Sequence, residues 1–153
     1  MKDKIQIDIG VGDVVKPQYR KFQLFHYRGQ PFFEASISLN LYPIEFIFSE
    51  KLETLISKCS KNSRMKDYHD LLILVRNFSL IESETLKQAI TETFKNRGTS
   101  LTIIHFDSNG IKSVQKLWVA HLNGLGDVAK DLDLPKNIET VIEEINQQLV
   151  AIH

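Results

Sequence analysis

The chain has 153 residues, of which 42% are hydrophobic and 25% are charged, a composition typical of a single globular domain with its own core. Its 19 lysine and arginine residues balance 19 aspartate and glutamate residues, so the charge gives no global nucleic-acid signal and allows only a local basic face. Its single cysteine excludes an internal disulfide. We see no signal peptide and no apolar run of membrane-spanning length, and we expect a cytoplasmic protein without membrane contact.

The first 42 residues predict two or three β-strands and no helix. Residues 5–9 and 36–41 alternate apolar and polar side chains, which is the period of a strand with one covered face. Residues 22–25 are a weaker candidate strand, and residues 28–31 predict a turn. Such a small sheet leaves its edges and an apolar face uncovered, so we expect self-association through these strands, as a dimer.

Beyond Pro43, apolar residues recur at the period of amphipathic helices. Residues 101–106 fit either a short strand or an extended loop. The predicted helices cover approximately residues 43–58, 63–76, 83–97, 111–122 and 137–149. We therefore predict an α+β protein in which residues 1–42 form a partial sheet and residues 43–153 form a helical bundle.

The clearest sign of a functional site is one helical block, Arg64-Met65-Lys66-Asp67-Tyr68-His69-Asp70-Leu71. Asp67 and Asp70 are three residues apart, so a helix places both carboxylates on one face. There they repel each other unless a cation or a substrate proton donor lies between them. Arg64 and Lys66 flank the two carboxylates and could relieve this repulsion. The alternative is a set of ordinary surface ion pairs.

Two residues outside this block could also serve a polar site. Lys51 continues the helical row of Ile47 and Leu55, so its stem borders an apolar stripe, and its ammonium either reaches water or serves the site. Asp8 lies among isoleucines in a predicted strand. On a covered face its carboxylate would need a partner or a metal ion, whereas on an open face it would be solvated.

In the order of these features the chain resembles the C-terminal part of the AbiEii-type nucleotidyltransferase toxins. The most specific match is the pattern Arg64-x-Lys66-Asp67-x-x-Asp70-Leu71. The resemblance covers nearly the whole chain. The other matching segments are residues 5–10, 12–13, 49–53, 62–63, 94–98, 115–118 and 134–135.

The resemblance implies transfer of a nucleotide from a nucleoside triphosphate to an acceptor such as tRNA, with Mg²⁺ as the electrophile. It implies catalytic roles for Lys51, Asp67 and Asp70. It also implies nucleotide binding by Lys51, Arg64 and Lys66. Asp8 matches the third of three metal-binding acidic residues. A cognate antitoxin is an implied partner.

The sequence departs from the family pattern because no Gly-Ser followed by Asp-x-Asp precedes Asp8. That motif supplies the other two metal-binding acids, and a single carboxylate holds Mg²⁺ weakly because the ion keeps its waters. We therefore expect an incomplete nucleotidyltransferase, inactive alone, that binds Mg²⁺ weakly or not at all. It would be a fragment, a truncated product or half of a split enzyme.

The alternative function is a non-catalytic helical module. A basic groove around Lys51, Arg64 and Lys66 would favour nucleic acid or a nucleotide, whereas a continuous apolar patch over the exposed sheet would favour a protein partner.

Overall fold

The structure, a computed structural model, describes residues 12–13, 16–23, 26–32 and 36–152. The predicted strand at residues 5–9 lies outside these ranges, and so does Asp8. The described part contains short antiparallel strands followed by helices. The predicted α+β class is therefore confirmed.

The strands form two small antiparallel pairs. Strand β1 (Gln18–Gln23) pairs with β4 (Ser36–Leu41), and β2 (His26–Tyr27) pairs with β3 (Gln30–Pro31). Between β2 and β3, Arg28 and Gly29 both have positive φ angles, which lets the chain reverse within two residues. Strand β1 begins four residues before the predicted one, because its polar, exposed residues lack the alternation that marks a half-buried strand.

One face of the β1–β4 pair is mostly apolar. The register places Phe22 opposite Ile37 and Arg20 opposite Leu39, and Leu41 lies on the same face by the two-residue period. All four apolar side chains of this face, Phe22, Ile37, Leu39 and Leu41, are at least 37% exposed. No other described residue therefore covers this face fully.

The helices of the described residues pack into one bundle. They are α1 (Ile44–Lys58), α2 (Met65–Arg76), α3 (Ser83–Arg97), α4 (Ser108–Leu125), α5 (Asp127–Asp131) and α6 (Ile138–Ile152). Residues 101–106 contain neither helix nor strand, which decides between the two alternatives in favour of the extended loop. Helix α5 was not predicted, because five residues are too short to show a helical period.

Side-chain oxygens set the starts of two helices. Helix α4 begins three residues before the predicted start because Asp107 caps it and accepts a hydrogen bond from the Gly110 amide at 2.6 Å. The cap of α3 is Glu82, whose carboxylate accepts hydrogen bonds from the amides of Glu84 and Thr85. Gly98, in the left-handed conformation, ends α3 directly after Arg97, the last residue of the predicted helix.

The core lies between α1, α2, α3, α4 and α6. Trp118 of α4 is fully buried, and its indole N–H donates to the Pro135 carbonyl at 2.8 Å. The side chain of Ser49 donates to the Ala89 carbonyl at 3.0 Å and ties α1 to α3. The guanidinium of Arg76 holds Glu144 at 2.8 Å and ties α2 to α6. Helix α1 also packs against both α2 and α3, and those three helices carry the site.

Two glycines of α4 provide a matched test of the packing. A Cβ atom at Gly110 would lie 2.8 Å from the Ser60 Cβ, whereas a Cβ at Gly124 would meet nothing within 4 Å. We expect Gly110→Ala to lower the free energy of unfolding by about 1–3 kcal/mol through overpacking. We expect Gly124→Ala to raise it by roughly 0.5–1 kcal/mol, because alanine is the better helix former. Urea unfolding of both variants checks this, and equal effects of the two substitutions would contradict the packing argument.

Candidate active site

Helices α1 and α2 bring three of the residues singled out in the sequence together. The Lys51 ammonium lies 2.7 Å from Asp70 Oδ2 and 3.2 Å from Asp67 Oδ1. The two carboxylates are one helical turn apart on α2, and the lysine of α1 enters between them. Their mutual repulsion is thereby offset by a cation that the same chain supplies.

Asp67 is the most buried member of this group, with 6% of its side chain exposed. It lies in the first turn of α2, where the helix dipole favours a negative charge. Its other oxygen lies 3.6 Å from the Arg64 Nε, while the Arg64 side chain is 72% exposed. Arg64 thus keeps most of its guanidinium open to solvent. Lys66 is exposed and does not line the cleft described below.

A cleft of about 330 Å³ opens beside Lys51. The α1 residues that face it recur at helical spacing, at positions 47, 50, 51 and 54, whereas Phe48, Leu52 and Leu55 of the same helix face the core. Its lining consists of Asp13, Tyr42, Ile47, Glu50, Lys51, Thr54, Arg64, Asp67 and Arg97. Three cationic side chains and three carboxylates therefore line a mostly polar cavity.

Arg97, at the end of α3, supplies a second ion-pair centre in this cleft. It binds Glu53 Oε2 and Asp13 Oδ1, each at 2.7 Å, and also donates to the Thr54 hydroxyl at 3.2 Å. Burial opposes the charged form of Arg97, but its bonds to Glu53 and Asp13 raise the pKa above its ordinary value. Burial likewise acts to raise the pKa of Glu53, yet the hydrogen bonds from Thr99 and Arg97 lower it overall.

Glu50 is a cleft carboxylate whose surroundings favour its protonated form. Burial, and then the charge of Asp13, raise its pKa above the ordinary value, although Arg97 and Lys51 act in the opposite direction. The Tyr42 hydroxyl donates a hydrogen bond to Glu50 Oε1. Glu50 therefore lies between groups that act on its charge in opposite directions.

Sequence reasoning missed Arg97, Glu53, Glu50, Tyr42 and Asp13 as residues of this site. Position 50 could have been found from the helical spacing that it shares with Ile47, Lys51 and Thr54. The partners of Arg97 could not, because they lie 44 and 84 residues away in the sequence.

A histidine pair joins α2 to α4 next to Asp70. His69 Nδ1 and His121 Nε2 lie 3.4 Å apart, and the ring of Trp118 lies against that of His121. Burial lowers the pKa of both rings, and in His121 the neighbouring His69 lowers it further, while Asp70 acts to raise it. The two rings can share a hydrogen bond only while at least one of them is neutral, because a protonated imidazole has no acceptor nitrogen.

The described residues contain no group of three or more His, Cys, Asp or Glu side chains placed to hold a metal ion. The carboxylates that line the cleft are already engaged, Asp67 with Lys51 and Asp13 with Arg97. The described donor set therefore does not fit a Mg²⁺ centre. Asp8, predicted as a metal ligand, lies outside the described residues. In the part of the chain that the structure covers, no helix is long and apolar enough to cross a membrane.

Comparison with protein families shows to which family the chain belongs. The family model described as nucleotidyl transferase AbiEii toxin, Type IV TA system, matches residues 1–147. The chain belongs to this family. The resemblance drawn from the block at residues 64–71 is thereby confirmed. Searches of the curated proteins and of the solved structures gave no match.

The histidine pair predicts a pH dependence of stability. Because the folded chain lowers both histidine pKa values, the unfolded chain binds more protons near pH 6.5, the ordinary value. The contribution of the pair to stability is therefore complete above about pH 6.5 and is lost as the pH falls toward the folded-state pKa values. We expect His121→Gln to flatten this dependence, measured as the urea midpoint between about pH 7.5 and 5.5.

The exposed His105 serves as the control, because His105→Gln removes an imidazole without touching the pair. A His121→Gln variant with the same pH dependence as the unaltered chain would contradict this assignment.

Proposed function

We propose that this chain is the Lys51-bearing part of a nucleotidyltransferase toxin that transfers a nucleoside monophosphate from a nucleoside triphosphate to an acceptor such as tRNA. Family membership supports the reaction class. The observation that carries the proposal is that Asp67 and Asp70 converge on Lys51, and that Lys51 and Asp67 line a polar cleft of about 330 Å³. A cleft of that size suits a phosphate-bearing small molecule.

In this proposal Lys51 binds the triphosphate as a compact cation that offsets its negative charge. Asp67 and Asp70 hold the ammonium in place from two sides, so the lysine is oriented before the ligand arrives. A phosphate that binds Lys51 must therefore compete with these two carboxylates. Asp70 is the more exposed of the two, so the phosphate displaces it from the ammonium at a lower cost than the buried Asp67.

Arg64 and Lys66 are the further nucleotide-binding residues of the proposal. The guanidinium of Arg64 lies on the cleft lining, is largely open to solvent and can present paired donors to a phosphate. Lys66 is exposed outside the lining, so its contribution is a longer-range attraction of the anion.

Asp8 is the residue that we propose for Mg²⁺, on the basis of the family pattern alone. When bound, that ion would neutralise charge on the transferring phosphoryl group. No step assigned to Lys51, Asp67 or Asp70 depends on it. Because no Gly-Ser followed by Asp-x-Asp precedes Asp8 in the sequence, we expect the 153 residues alone to lack transfer activity.

A second candidate function, a binding module, is favoured by the apolar face of the β1–β4 pair. Phe22, Ile37, Leu39 and Leu41 remain exposed on it, and an exposed apolar face is a common interaction surface. We propose that it mediates self-association into a dimer or contact with a protein partner such as a cognate antitoxin.

A transfer assay tests the proposed function. We expect no labelled nucleotide to reach RNA with residues 1–153 alone, and transfer to appear when a polypeptide with the Gly-Ser…Asp-x-Asp motif is supplied. Lys51→Ala and Asp67→Ala should then abolish transfer. Lys87→Ala, which removes an exposed lysine paired only within α3, is the matched control and should leave it unchanged. Robust transfer by the 153 residues alone would contradict the proposal that their catalytic centre is incomplete. Transfer that survives both substitutions would contradict the roles proposed for Lys51 and Asp67.

A charge placed on the sheet tests self-association. We expect Leu39→Glu, on the apolar face, to shift the chain toward the monomer, because a buried carboxylate at the interface would be unpaired. Ser38→Glu places the same charge on the opposite face of the same strand and should leave the assembly unchanged. Sedimentation at high micromolar concentration measures both variants, and a monomeric unaltered chain would rule out the dimer.

A further inference from the structure

The C-terminal half of α3 holds the segment before β1, by which we mean the described residues Gly12, Asp13 and Lys16. The Asn96 side-chain amide donates to the Gly12 carbonyl at 3.0 Å. Arg97 donates to Asp13 Oδ1 through two nitrogens, at 2.7 and 3.2 Å. These contacts join positions 84 residues apart in the sequence, so they are a feature of the tertiary structure and not of local chain geometry.

A third contact extends the same line along α3. Lys16 forms an ion pair with Glu92, one helical turn before Asn96. The successive turns of α3 at Glu92 and Asn96 therefore each hold a residue of the segment.

Arg97 is itself fixed from the protein interior. Its partner Glu53 has only 5% of its side chain exposed and accepts a second hydrogen bond, from the Thr99 hydroxyl, at 2.5 Å. Asp13, its outer partner, is 35% exposed. A planar guanidinium can hold two carboxylates at once with separate nitrogens. The ion pair with Glu53 therefore orients the Arg97 guanidinium so that its remaining N–H groups reach Asp13.

We propose that Arg97 is a positioning residue of the Lys51 cleft: held by the buried Glu53, it fixes Asp13 on the cleft wall beside Glu50, so that the segment before β1 forms part of the nucleotide site. The assignment of this cleft to a nucleotide rests on the proposed function, whereas the holding of Asp13 by Arg97 does not. Arg97 is not a phosphate ligand in this proposal, because Asp13, Glu53 and Thr54 already accept from its donors.

The Asp13 carboxylate, which Arg97 holds in place, acts on the protonation of Glu50. Four groups face the Glu50 carboxylate: the Tyr42 hydroxyl donates to it, Asp13 repels its ionised form, and Arg97 and Lys51 attract that form. If Asp13 leaves the wall, Glu50 loses one repulsive neighbour and ionises more readily. The protonation of Glu50 therefore reports whether Asp13 is in place.

The test is a double-mutant cycle on the pKa of Glu50, followed through its side-chain carboxyl carbon by NMR. In the otherwise unaltered chain, Asp13→Asn should lower the Glu50 pKa. In a chain that carries Arg97→Gln with Glu53→Gln, which removes the anchor without leaving a buried unpaired carboxylate, Asp13→Asn should have no effect. The difference between the two backgrounds measures the anchoring.

Arg97→Lys supplies a second background, because it keeps a cation for Glu53 while removing the planar fork. The effect of Asp13→Asn should again be lost. Asp127→Asn, at an exposed ion pair on α5, is the matched control and should not move the Glu50 pKa in any background.

An equal effect of Asp13→Asn in all backgrounds would show that Asp13 is held without Arg97 and would overturn the proposal. If Asp13→Asn leaves the Glu50 pKa of the otherwise unaltered chain unchanged, Asp13 does not lie beside Glu50, and the proposal is likewise overturned. Neither reading uses nucleotide transfer, so failure of the transfer assay and failure of the anchoring are distinguishable.

Discussion

The structure depends on one lysine that lies between two carboxylates. Lys51 of α1 reaches Asp67 and Asp70 of α2, and Asp67 is almost fully buried. Removing one partner of a buried pair leaves an uncompensated charge, which typically costs about 3–5 kcal/mol. The packing of α1 on α2 and the electrostatics of the cleft are therefore set by the same three side chains, and a substitution made to probe one also perturbs the other.

The cleft satisfies its own charges. Lys51 pairs with α2, and Arg97 pairs with Glu53 and with the segment before β1. Any anion that binds these cations must therefore compete with the carboxylates that already hold them, and only the difference between the two interactions contributes to its affinity.

Family membership and site geometry carry different parts of the functional conclusion. The family defines the reaction class, while a fold by itself does not define an activity. The contacts of Lys51 and Arg97 supply the residues that we propose for that reaction class. The exposed apolar face formed by β1 and β4 lies on the sheet, apart from the helical lining of the cleft supplied by α1, α2 and α3. The proposed association and the proposed nucleotide binding can therefore be tested by separate substitutions.

The sequence by itself determined the helices whose apolar period is long, the α+β class and the family. It also determined that Asp67 and Asp70 share a face, because that follows from a spacing of three on one helix. Tertiary structure alone decided that Lys51 enters between them, that Arg97 joins Glu53 to Asp13, and that His69 meets His121. Each of these contacts joins residues between 16 and 84 positions apart. No local period encodes such a distance, because it depends on how α1, α2, α3 and α4 pack around a common core.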